Sequence, residues 1–265
     1  MNLLLITLDT CRFDTTQIAF LPNFEQLIDE SRKKDGWVKC YSHGTFTLPS
    51  HKAMFLGGKF PSNKNNPYPF SNNKSMFKFI KKNNLIIAKN NKPHFLFENE
   101  HGLLINPNLY TSIPDYFYQN NWNIFGIGSV AWFNLKKYNI ASIWPEMFHN
   151  NFYYGKETAS DNHKSFENQI EIIQNKIKKE NNFFFINIGS THSPFCGFGK
   201  DHEAQVEALE YVDKHILDLV NSFPKPLIIQ IVGDHGECFG EDEMYGHSFY
   251  HPKVMEVPGL YLYLE

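Results

Sequence analysis

Near its carboxyl end the chain reads Leu227-Ile228-Ile229-Gln230-Ile231-Val232 and continues directly as Gly233-Asp234-His235-Gly236-Glu237. The first six residues have the length and the β-branched content of a buried strand in a parallel sheet. The residues that follow place a carboxylate beside an imidazole at the carboxyl end of that strand, between glycines. Taken alone, this pattern fits either a polar turn or a metal-binding or acid–base site, and both interpretations stay open.

Apolar runs of strand length alternate with helical patterns along the whole chain. This alternation predicts an α/β fold with a mostly parallel central sheet and helices on both of its faces. The predicted core strands are Leu3–Leu8, Trp122–Gly128, Phe183–Ile188, Leu227–Val232 and Gly259–Leu264, with Trp37–Tyr41 as a weaker one. The predicted helices are Asn23–Lys33, Pro49–Leu56, Ser165–Lys179 and His202–Phe223. We predict one catalytic domain over residues 1–265, with a loop-rich insertion at about 61–108.

Composition excludes several classes of protein. A chain of 265 residues with 42% hydrophobic residues can bury a sizeable core, and a net charge of −3 gives no indication of nucleic-acid binding. The four cysteines have no CxxC spacing, which predicts free thiols. The first apolar run, Leu3–Ile6, is too short for a signal peptide or a membrane span. We therefore predict a cytoplasmic protein without membrane contact; oligomeric state is not predicted.

A second polar cluster follows the first predicted strand and contains Asp9, Arg12 and Asp14. Ligands of parallel α/β proteins bind at the carboxyl ends of the strands, so Asp9 and Asp234 are expected to lie close together. The alternative is that Asp9 only caps the next helix. Asp14 is expected to form such a cap or to pair with Arg12.

A third cluster surrounds Thr47, where Thr47-Leu48-Pro49 reads as the start of a helix and Gly57-Gly58 as its end. The Thr47 hydroxyl is expected to cap this helix or to act as a nucleophile. A helix amino terminus favours an anion, including a phosphate. A neutral threonine needs a metal or a base to activate it. Asp9, Asp234 and His235 form an oxygen-rich set that would hold such a metal.

Four segments of the chain occur in the order of the landmarks of the alkaline phosphatase superfamily. They are Thr7–Asp14, Thr47–His51, Thr191–Phe195 and Gly233–Glu237 with its continuation to His247. The chain resembles most the branch of sulfatases, phosphonate monoester hydrolases and phosphoethanolamine transferases. The resemblance runs from the first strand to the last, with residues 61–108 poorly matched. It implies an alkaline phosphatase-like core, here without the large C-terminal subdomain of sulfatases.

The resemblance also implies a role for individual residues. Asp9, Asp234 and His235 match the metal ligands, and Thr47 matches the nucleophile, which also touches the metal. His192 and His247 match positions that contact the transferred group, the leaving group or a second metal. A possible second metal would use His192, His247 and His251. Further candidate substrate contacts are Arg12, Ser50 and Lys52. For Lys52 the alternative is an ordinary lysine on a helix surface.

Three departures from the family pattern narrow the chemistry. Thr47 stands where sulfatases carry the cysteine that becomes formylglycine, which excludes formylglycine chemistry. His51 replaces the arginine of the same motif. Thr10 replaces the second aspartate that follows the first sulfatase strand, which removes one calcium-type ligand. The chain is therefore expected to be a compact variant that uses threonine.

These observations together predict a metal-dependent hydrolase of phosphate or phosphonate esters that forms a covalent phosphothreonine. The expected cofactor is one or two divalent metal ions per chain, with zinc as the first expectation and manganese or calcium as alternatives. The expected partner is a small-molecule phosphate ester. The first alternative is a soluble phospho-group transferase with the same Thr47 nucleophile. The second alternative is a sulfate-ester hydrolase or a non-catalytic binding protein on this fold.

Overall fold

A computed structural model describes residues 1–56, 111–137, 141 and 143–265, together with the backbone of four short strands between residues 86 and 105. The strands are β1 (Asn2–Leu8), β2 (Val38–Tyr41), β3 (Ile86–Lys89), β4 (Lys92–Phe95), β5 (Phe97–Glu98), β6 (Leu104–Ile105), β7 (Asn123–Ile127), β8 (Phe152–Tyr153), β9 (Asn182–Ile188), β10 (Leu227–Gly233), β11 (Cys238–Phe239), β12 (Tyr245–Gly246) and β13 (Glu256–Leu264). The helices are α1 (Thr15–Ile18), α2 (Pro22–Glu30), α3 (Thr47–Leu56), α4 (Ile113–Gln119), α5 (Ile143–Met147), α6 (Ser165–Gln174), α7 (His202–Ser222) and α8 (Pro252–Met255).

The centre of the molecule is a seven-stranded sheet with the strand order β2-β13-β10-β1-β9-β7-β8. Strands β10, β1, β9, β7 and β8 run parallel to their neighbours, whereas β13 is antiparallel to β10 and β2 is antiparallel to β13. The mostly parallel sheet predicted from the sequence is therefore confirmed. Because β10, β1 and β9 are adjacent and parallel, the loops that follow them meet at one edge.

Both faces of this sheet are covered, which explains why its central strands are mostly apolar. In β9 every residue is buried: Phe184 packs into the cluster that includes α2, α6 and α7, and Phe183 and Phe185 pack into the cluster that includes α3 and α5. Strand β1 alternates in the same way, with Leu4 on the first face and Leu5 against the second. Helices thus flank the sheet on both faces, as predicted.

The predicted elements match the observed ones within one to five residues. The largest difference concerns α6, which ends at Gln174 instead of Lys179. The weak strand predicted at Trp37–Tyr41 is present as β2, at the edge of the sheet. The four cysteines are free thiols, as predicted.

The predicted insertion at about 61–108 lies outside the residues described in full, so it stays a prediction. The structure gives there only the antiparallel backbone pairs β3–β4 and β5–β6. None of the helices in the described part of the chain combines the length and the apolar character that a bilayer crossing requires.

Candidate metal centre

Three polar side chains converge where the central strands end. Asp9 directly follows β1, and Asp234 and His235 directly follow the neighbouring strand β10. One potential ligand atom from each of these residues lies within 4.8 Å of the other two. His235 Nε2 is 3.6 Å from Asp234 Oδ2 and 3.9 Å from Asp9 Oδ1, and all three side chains are fully buried.

Each carboxylate of this cluster has one oxygen that is held by the protein and one that is not. Asp234 Oδ1 accepts hydrogen bonds from the backbone N–H groups of Thr10 (3.1 Å) and His235 (2.9 Å). Asp9 Oδ2 accepts one from Asn187 Nδ2 at 2.9 Å. Asp9 Oδ1 and Asp234 Oδ2 are buried and accept no hydrogen bond from any residue that the structure describes. A buried carboxylate oxygen without a partner is costly, so these two atoms fit a bound cation.

His235 is oriented to complete this ligand set. Its Nδ1 lies 3.0 Å from the carbonyl oxygen of Gly236, which can only accept, so Nδ1 carries the proton. Nε2 then faces the carboxylates with its lone pair, which is the arrangement of a metal-ligating histidine. Burial lowers the pKa of His235 well below its ordinary value, which keeps the ring neutral.

The two carboxylates destabilise each other in the absence of a cation. Burial raises the pKa of Asp9 above its ordinary value. Burial, and then the charge of Asp9, raise the pKa of Asp234 well above its ordinary value. A divalent cation would offset both effects because it favours the ionised forms. The chemistry of the donors, two carboxylates and one imidazole, suits zinc or manganese.

The glycines of the Gly233–Glu237 turn allow other chain segments to approach it. A Cβ atom on Gly233 would lie 2.8 Å from the carbonyl oxygen of Cys11, and one on Gly236 would lie 2.1 Å from that of Lys253. Neither separation is sterically allowed. The glycines on both sides of Asp234 and His235 are therefore needed so that the turn can pack against the loop after β1 and against α8.

Thr47 lies beside the carboxylates and the imidazole, in the first turn of α3. Its Oγ1 is 3.5 Å from Asp9 Oδ2 and 3.4 Å from His235 Nε2, and the residue is 1% exposed. The structure thus brings together the four residues that the sequence singled out as metal ligands and nucleophile. Their roles remain predictions, but their placement meets the geometric requirement for both.

Two further histidines stand next to this cluster. The ring centroid of His247 is 4.6 Å from that of His235 and 5.8 Å from that of His192. His192 Nδ1 lies 2.7 Å from the carbonyl oxygen of Ser193, so Nδ1 donates there and Nε2 is left for a ligand. His192 and His247 are therefore close enough to contact one substrate group at the same time.

No role was predicted for Glu237 from the sequence, but the structure places it beside the candidate metal centre. Its Oε1 lies 3.6 Å from His247 Nδ1, and its side chain is 12% exposed. Burial opposes the ionisation of Glu237, but the proximity of His247 and the charge of His192 outweigh it and lower its pKa. The sequence carried no signal for this position, because the place of His247 is known only from the folded chain.

His251 and Ser50 were predicted to contact a second metal and the substrate, respectively, and both contact other protein groups. His251 Nδ1 accepts from the backbone N–H of Lys253 at 3.1 Å, and its Nε2 lies 3.2 Å from Asp242 Oδ2. Both ring nitrogens are therefore engaged, which argues against His251 as a ligand of a second metal. Ser50 is fully buried, with its Oγ 3.1 Å from that of Ser42. In this position the Ser50 hydroxyl is engaged by another protein side chain.

Arg12 forms ion pairs in place of the predicted substrate contact. Its guanidinium contacts both carboxylate oxygens of Asp14, at 2.7 and 2.5 Å, and its Nη1 is 2.6 Å from Glu241 Oε1. The side chain is 3% exposed. The predicted pairing of Arg12 with Asp14 is therefore confirmed. The Arg12–Glu241 pair links the loop after β1 to the segment after β11.

The expectation of an ordinary surface position for Lys52 is wrong. Lys52 is fully buried, because α3 packs into the protein on all sides. Burial lowers the pKa of Lys52 to about 7, although the charge of Glu146 acts in the opposite direction. The phosphate contact predicted for Lys52 stays a prediction. The pH dependence of stability tests the lowered pKa of Lys52, and the KM of a Lys52 variant tests the phosphate contact.

Stability is expected to depend on Lys52 between pH 7 and pH 9. The folded pKa of about 7 lies below the value of about 10.4 for an unfolded lysine, so the unfolded chain binds more protons in this range. The free energy of unfolding should therefore rise with pH, by about 2 kcal/mol from this residue. Denaturant unfolding of the wild type and of Lys52→Met should show this gain only in the wild type. Lys214→Met, at an exposed position of α7, is the control.

An unchanged pH dependence in Lys52→Met would contradict this account. If Lys52→Met instead raised KM for a phosphate ester without changing the pH dependence, Lys52 would be a substrate contact.

An α/β sheet that carries such a cluster at the ends of its central parallel strands has the architecture of the alkaline phosphatase-like metalloenzymes. A sequence model of the Metalloenzyme superfamily matches residues 73–249, well over half of the chain. The chain belongs to the Metalloenzyme superfamily, and the recognition of its superfamily from the motifs is confirmed. No curated protein matched the sequence.

Solved structures share this fold at low sequence identity. The C-terminal periplasmic domain of the phosphoethanolamine transferase EptC from Campylobacter jejuni superimposes with a TM-score of 0.57 at 14% identity, covering 98% of this chain and 78% of that one. A zinc complex of the C-terminal periplasmic domain of EptC from Escherichia coli gives a TM-score of 0.61 at 11% identity, covering 100% and 73%. The lipoteichoic acid synthase LtaP from Listeria monocytogenes gives 0.61 at 14% identity, covering 99% and 65%.

These relatives bear on two predictions about the chain. A divalent metal cofactor is supported by the superfamily and by the clustered Asp9, Asp234 and His235. The prediction of a cytoplasmic location receives no support from them, because two of the three are described as periplasmic domains.

Proposed function

We propose that the protein hydrolyses phosphate or phosphonate esters through a covalent phosphothreonine at Thr47, with a divalent metal, zinc first, held by Asp9, Asp234 and His235. One observation carries the proposal: two buried carboxylate oxygens, which accept no hydrogen bond within the described part of the chain, face the same imidazole nitrogen, beside the Thr47 hydroxyl. A bound divalent cation supplies Lewis-acid polarisation of a phosphoryl oxygen and lowers the pKa of a coordinated hydroxyl.

In the first step the Thr47 oxygen forms a bond to phosphorus while the bond from phosphorus to the ester oxygen breaks. The Thr47 hydroxyl donates towards Asp9 Oδ2 at 3.5 Å, so this carboxylate is placed to take the proton. The ester oxygen leaves as an alcohol after it receives a proton from His192 or His247. Helix α3 directs the N–H groups of its first turn towards its amino terminus, where they favour the phosphoryl anion.

In the second step water attacks phosphorus and the bond from phosphorus to Thr47 breaks. The histidine that gave its proton in the first step takes one from the water, and Asp9 returns its proton to Thr47. The sum of both steps is an ester and water converted to an alcohol and phosphate, with every protein group restored. A positioned acid or base of this kind contributes about 10²–10⁴-fold to the rate.

A phospho-group transferase is the second candidate function, and the similar structures favour it. One of them is described as a phosphoethanolamine transferase and another as a lipoteichoic acid synthase. A transferase would use the same first step and replace water by an acceptor hydroxyl in the second. An added alcohol acceptor separates the two: a transferase gives mostly the new ester, and a hydrolase gives mostly free phosphate.

The proposed reaction is tested by trapping its intermediate. Purified protein is supplied with zinc, manganese or calcium, mixed with aryl phosphate, phosphate diester, phosphonate ester or sulfate ester, and quenched in acid within one turnover. We expect phosphate release from at least one phosphorus ester, and a peptide that carries the phospho-group on Thr47 by mass spectrometry. Turnover without any modified Thr47 would contradict the covalent mechanism. Turnover of the sulfate ester alone would favour the sulfatase alternative.

A further inference from the structure

A chain of buried hydrogen bonds runs beside the candidate metal centre, from Asn187 through Thr7 to His51. It starts at Asn187, in β9, whose Nδ2 donates both to Asp9 Oδ2 (2.9 Å) and to Thr7 Oγ1 (3.2 Å). Asn187 Oδ1 accepts from the backbone N–H of Ser129 at 3.2 Å, which fixes the orientation of the amide. The Asn187 side chain thus joins the Asp9 carboxylate to Thr7, near the end of strand β1.

The chain of hydrogen bonds continues through His51 to the residue that carries the candidate nucleophile. His51 Nε2 lies 2.8 Å from Thr7 Oγ1, and His51 Nδ1 lies 2.7 Å from the backbone carbonyl oxygen of Thr47. Asp234 Oδ2 is also 3.6 Å from Nδ1. Both neighbours of Nδ1 are acceptors, so Nδ1 carries the proton and Nε2 accepts from the Thr7 hydroxyl. All the bonds of the chain then have one consistent direction.

Aromatic rings hold His51 in this position. Phe133 and Phe185 lie edge to face with its ring at centroid distances of 5.4 Å each, and Trp144 does so at 6.1 Å. The His51 side chain is fully buried. The ring therefore has little freedom to rotate, and its two hydrogen bonds join α3 rigidly to β1.

We propose that His51 and Asn187 are positioning residues, which act through Thr7 to hold the Thr47 hydroxyl at a fixed distance from the Asp9 carboxylate. This inference rests on the proposed function, in which Thr47 attacks phosphorus beside Asp9. Neither residue contacts the substrate. Because a misplacement of about 1 Å at a reacting atom can cost about 10²-fold in rate, loosening this link should lower kcat.

Two substitutions of His51 distinguish positioning from packing. In glutamine the side-chain amide reaches the position of histidine Nε2, where its Oε1 can accept from the Thr7 hydroxyl, so His51→Gln keeps the link to β1. In asparagine the Nδ2 atom replaces Nδ1 of histidine, so His51→Asn keeps only the bond to the Thr47 carbonyl of its own helix and loses the link to Thr7. We expect kcat to fall about 10²-fold in His51→Asn and to recover at least tenfold in His51→Gln, with KM and metal content unchanged in both.

Strand β9 offers a matched control for Asn187. Asn182 is also fully buried in β9, but at the opposite end of the strand, where its Nδ2 donates to Asn2 Oδ1 at 2.7 Å. Asn187→Ser should lower kcat by at least tenfold with KM unchanged, whereas Asn182→Ser should lower only the melting temperature. Equal losses of kcat in the two asparagine variants, or a kcat within threefold of wild type in folded His51→Asn, would overturn the proposal.

Nitrogen NMR of the wild type tests the geometry without any assay of activity. The ¹⁵N shifts of His51 should show a protonated Nδ1 and an unprotonated Nε2 from pH 6 to pH 8. The opposite tautomer would overturn the proposal even if the variants failed to fold. If His51 carried its proton on Nδ1 but Thr47 never became phosphorylated, the proposed function would be wrong and the hydrogen-bond network would still be correct.

Discussion

The replacement of Thr47 by alanine is expected to lower kcat by about 10⁴–10⁶-fold, the range seen when a catalytic nucleophile is removed. The reason is that Thr47 carries the hydroxyl that lies between Asp9 Oδ2 and His235 Nε2 in the buried cluster. Alanine preserves the helix and all three metal-ligand candidates. The measurement is single-turnover and steady-state kinetics on purified protein whose metal content has been determined.

Two variants control this experiment. Thr47→Ser keeps the hydroxyl and should retain measurable turnover with a phosphoserine intermediate. Thr16→Ala removes a buried hydroxyl that donates to the carbonyl oxygen of Phe13, and it should retain kcat. If Thr47→Ala kept near-native turnover with a full complement of metal, Thr47 would not be the nucleophile.

The fold could be predicted from the sequence because its central strands are buried on both faces. Strands such as β9 and β10 therefore appear as nearly continuous apolar runs, which are typical of parallel sheets. The approach of Asp9 to Asp234 followed from the same fact, since adjacent parallel strands end at one edge of the sheet. Neither prediction needed knowledge of any side-chain contact.

The parts of the site that were missed depend on the direction and burial of single side chains. Helix α3 is buried all round, so the usual assumption that a lysine on a helix faces solvent failed at Lys52. His51 stood out only as a replacement in a motif, because its two partners belong to β1 and to its own helix. Asn187 interrupts an apolar run near its carboxyl end, which was a usable signal. The role of Glu237 could not be predicted, because it depends on the position of His247 in the folded chain.

In the metal-free protein, the stability that Asp9 and Asp234 contribute is expected to fall as pH rises above about 4. Burial raises the pKa of Asp9 and of Asp234 above their unfolded values of about 3.9, so the folded state binds more protons in the range between the two values. Stability from these groups is then complete below the unfolded pKa and is lost as pH rises through the folded pKa. Melting temperatures of chelator-treated protein from pH 4.5 to pH 8 measure this.

Zinc should reverse that loss, because it binds the folded state with both carboxylates ionised. At a zinc concentration about a thousandfold above the dissociation constant the gain is about 4 kcal/mol, or roughly 10 °C in melting temperature for a domain of this size. In Asp234→Asn the metal-free protein should be more stable at pH 7.5 than the metal-free wild type, since the repulsion from Asp9 is gone. The same variant should lose most of the zinc effect and nearly all turnover.

Asp213 provides the matched control for this experiment. It is a buried carboxylate in α7 that accepts from the backbone N–H of Phe24 at 2.8 Å, and burial raises its pKa as well. Asp213→Asn should change stability but keep the full zinc effect, because its partners belong to α2. An equal zinc effect in Asp234→Asn and in the wild type would remove Asp234 from the ligand set. If the metal-free wild type gained stability relative to metal-free Asp234→Asn as pH rose, the two carboxylates would not repel each other in the fold. Either result would argue against a cation bound between Asp9 and Asp234. It would therefore also argue against the proposed activation of Thr47 by a metal.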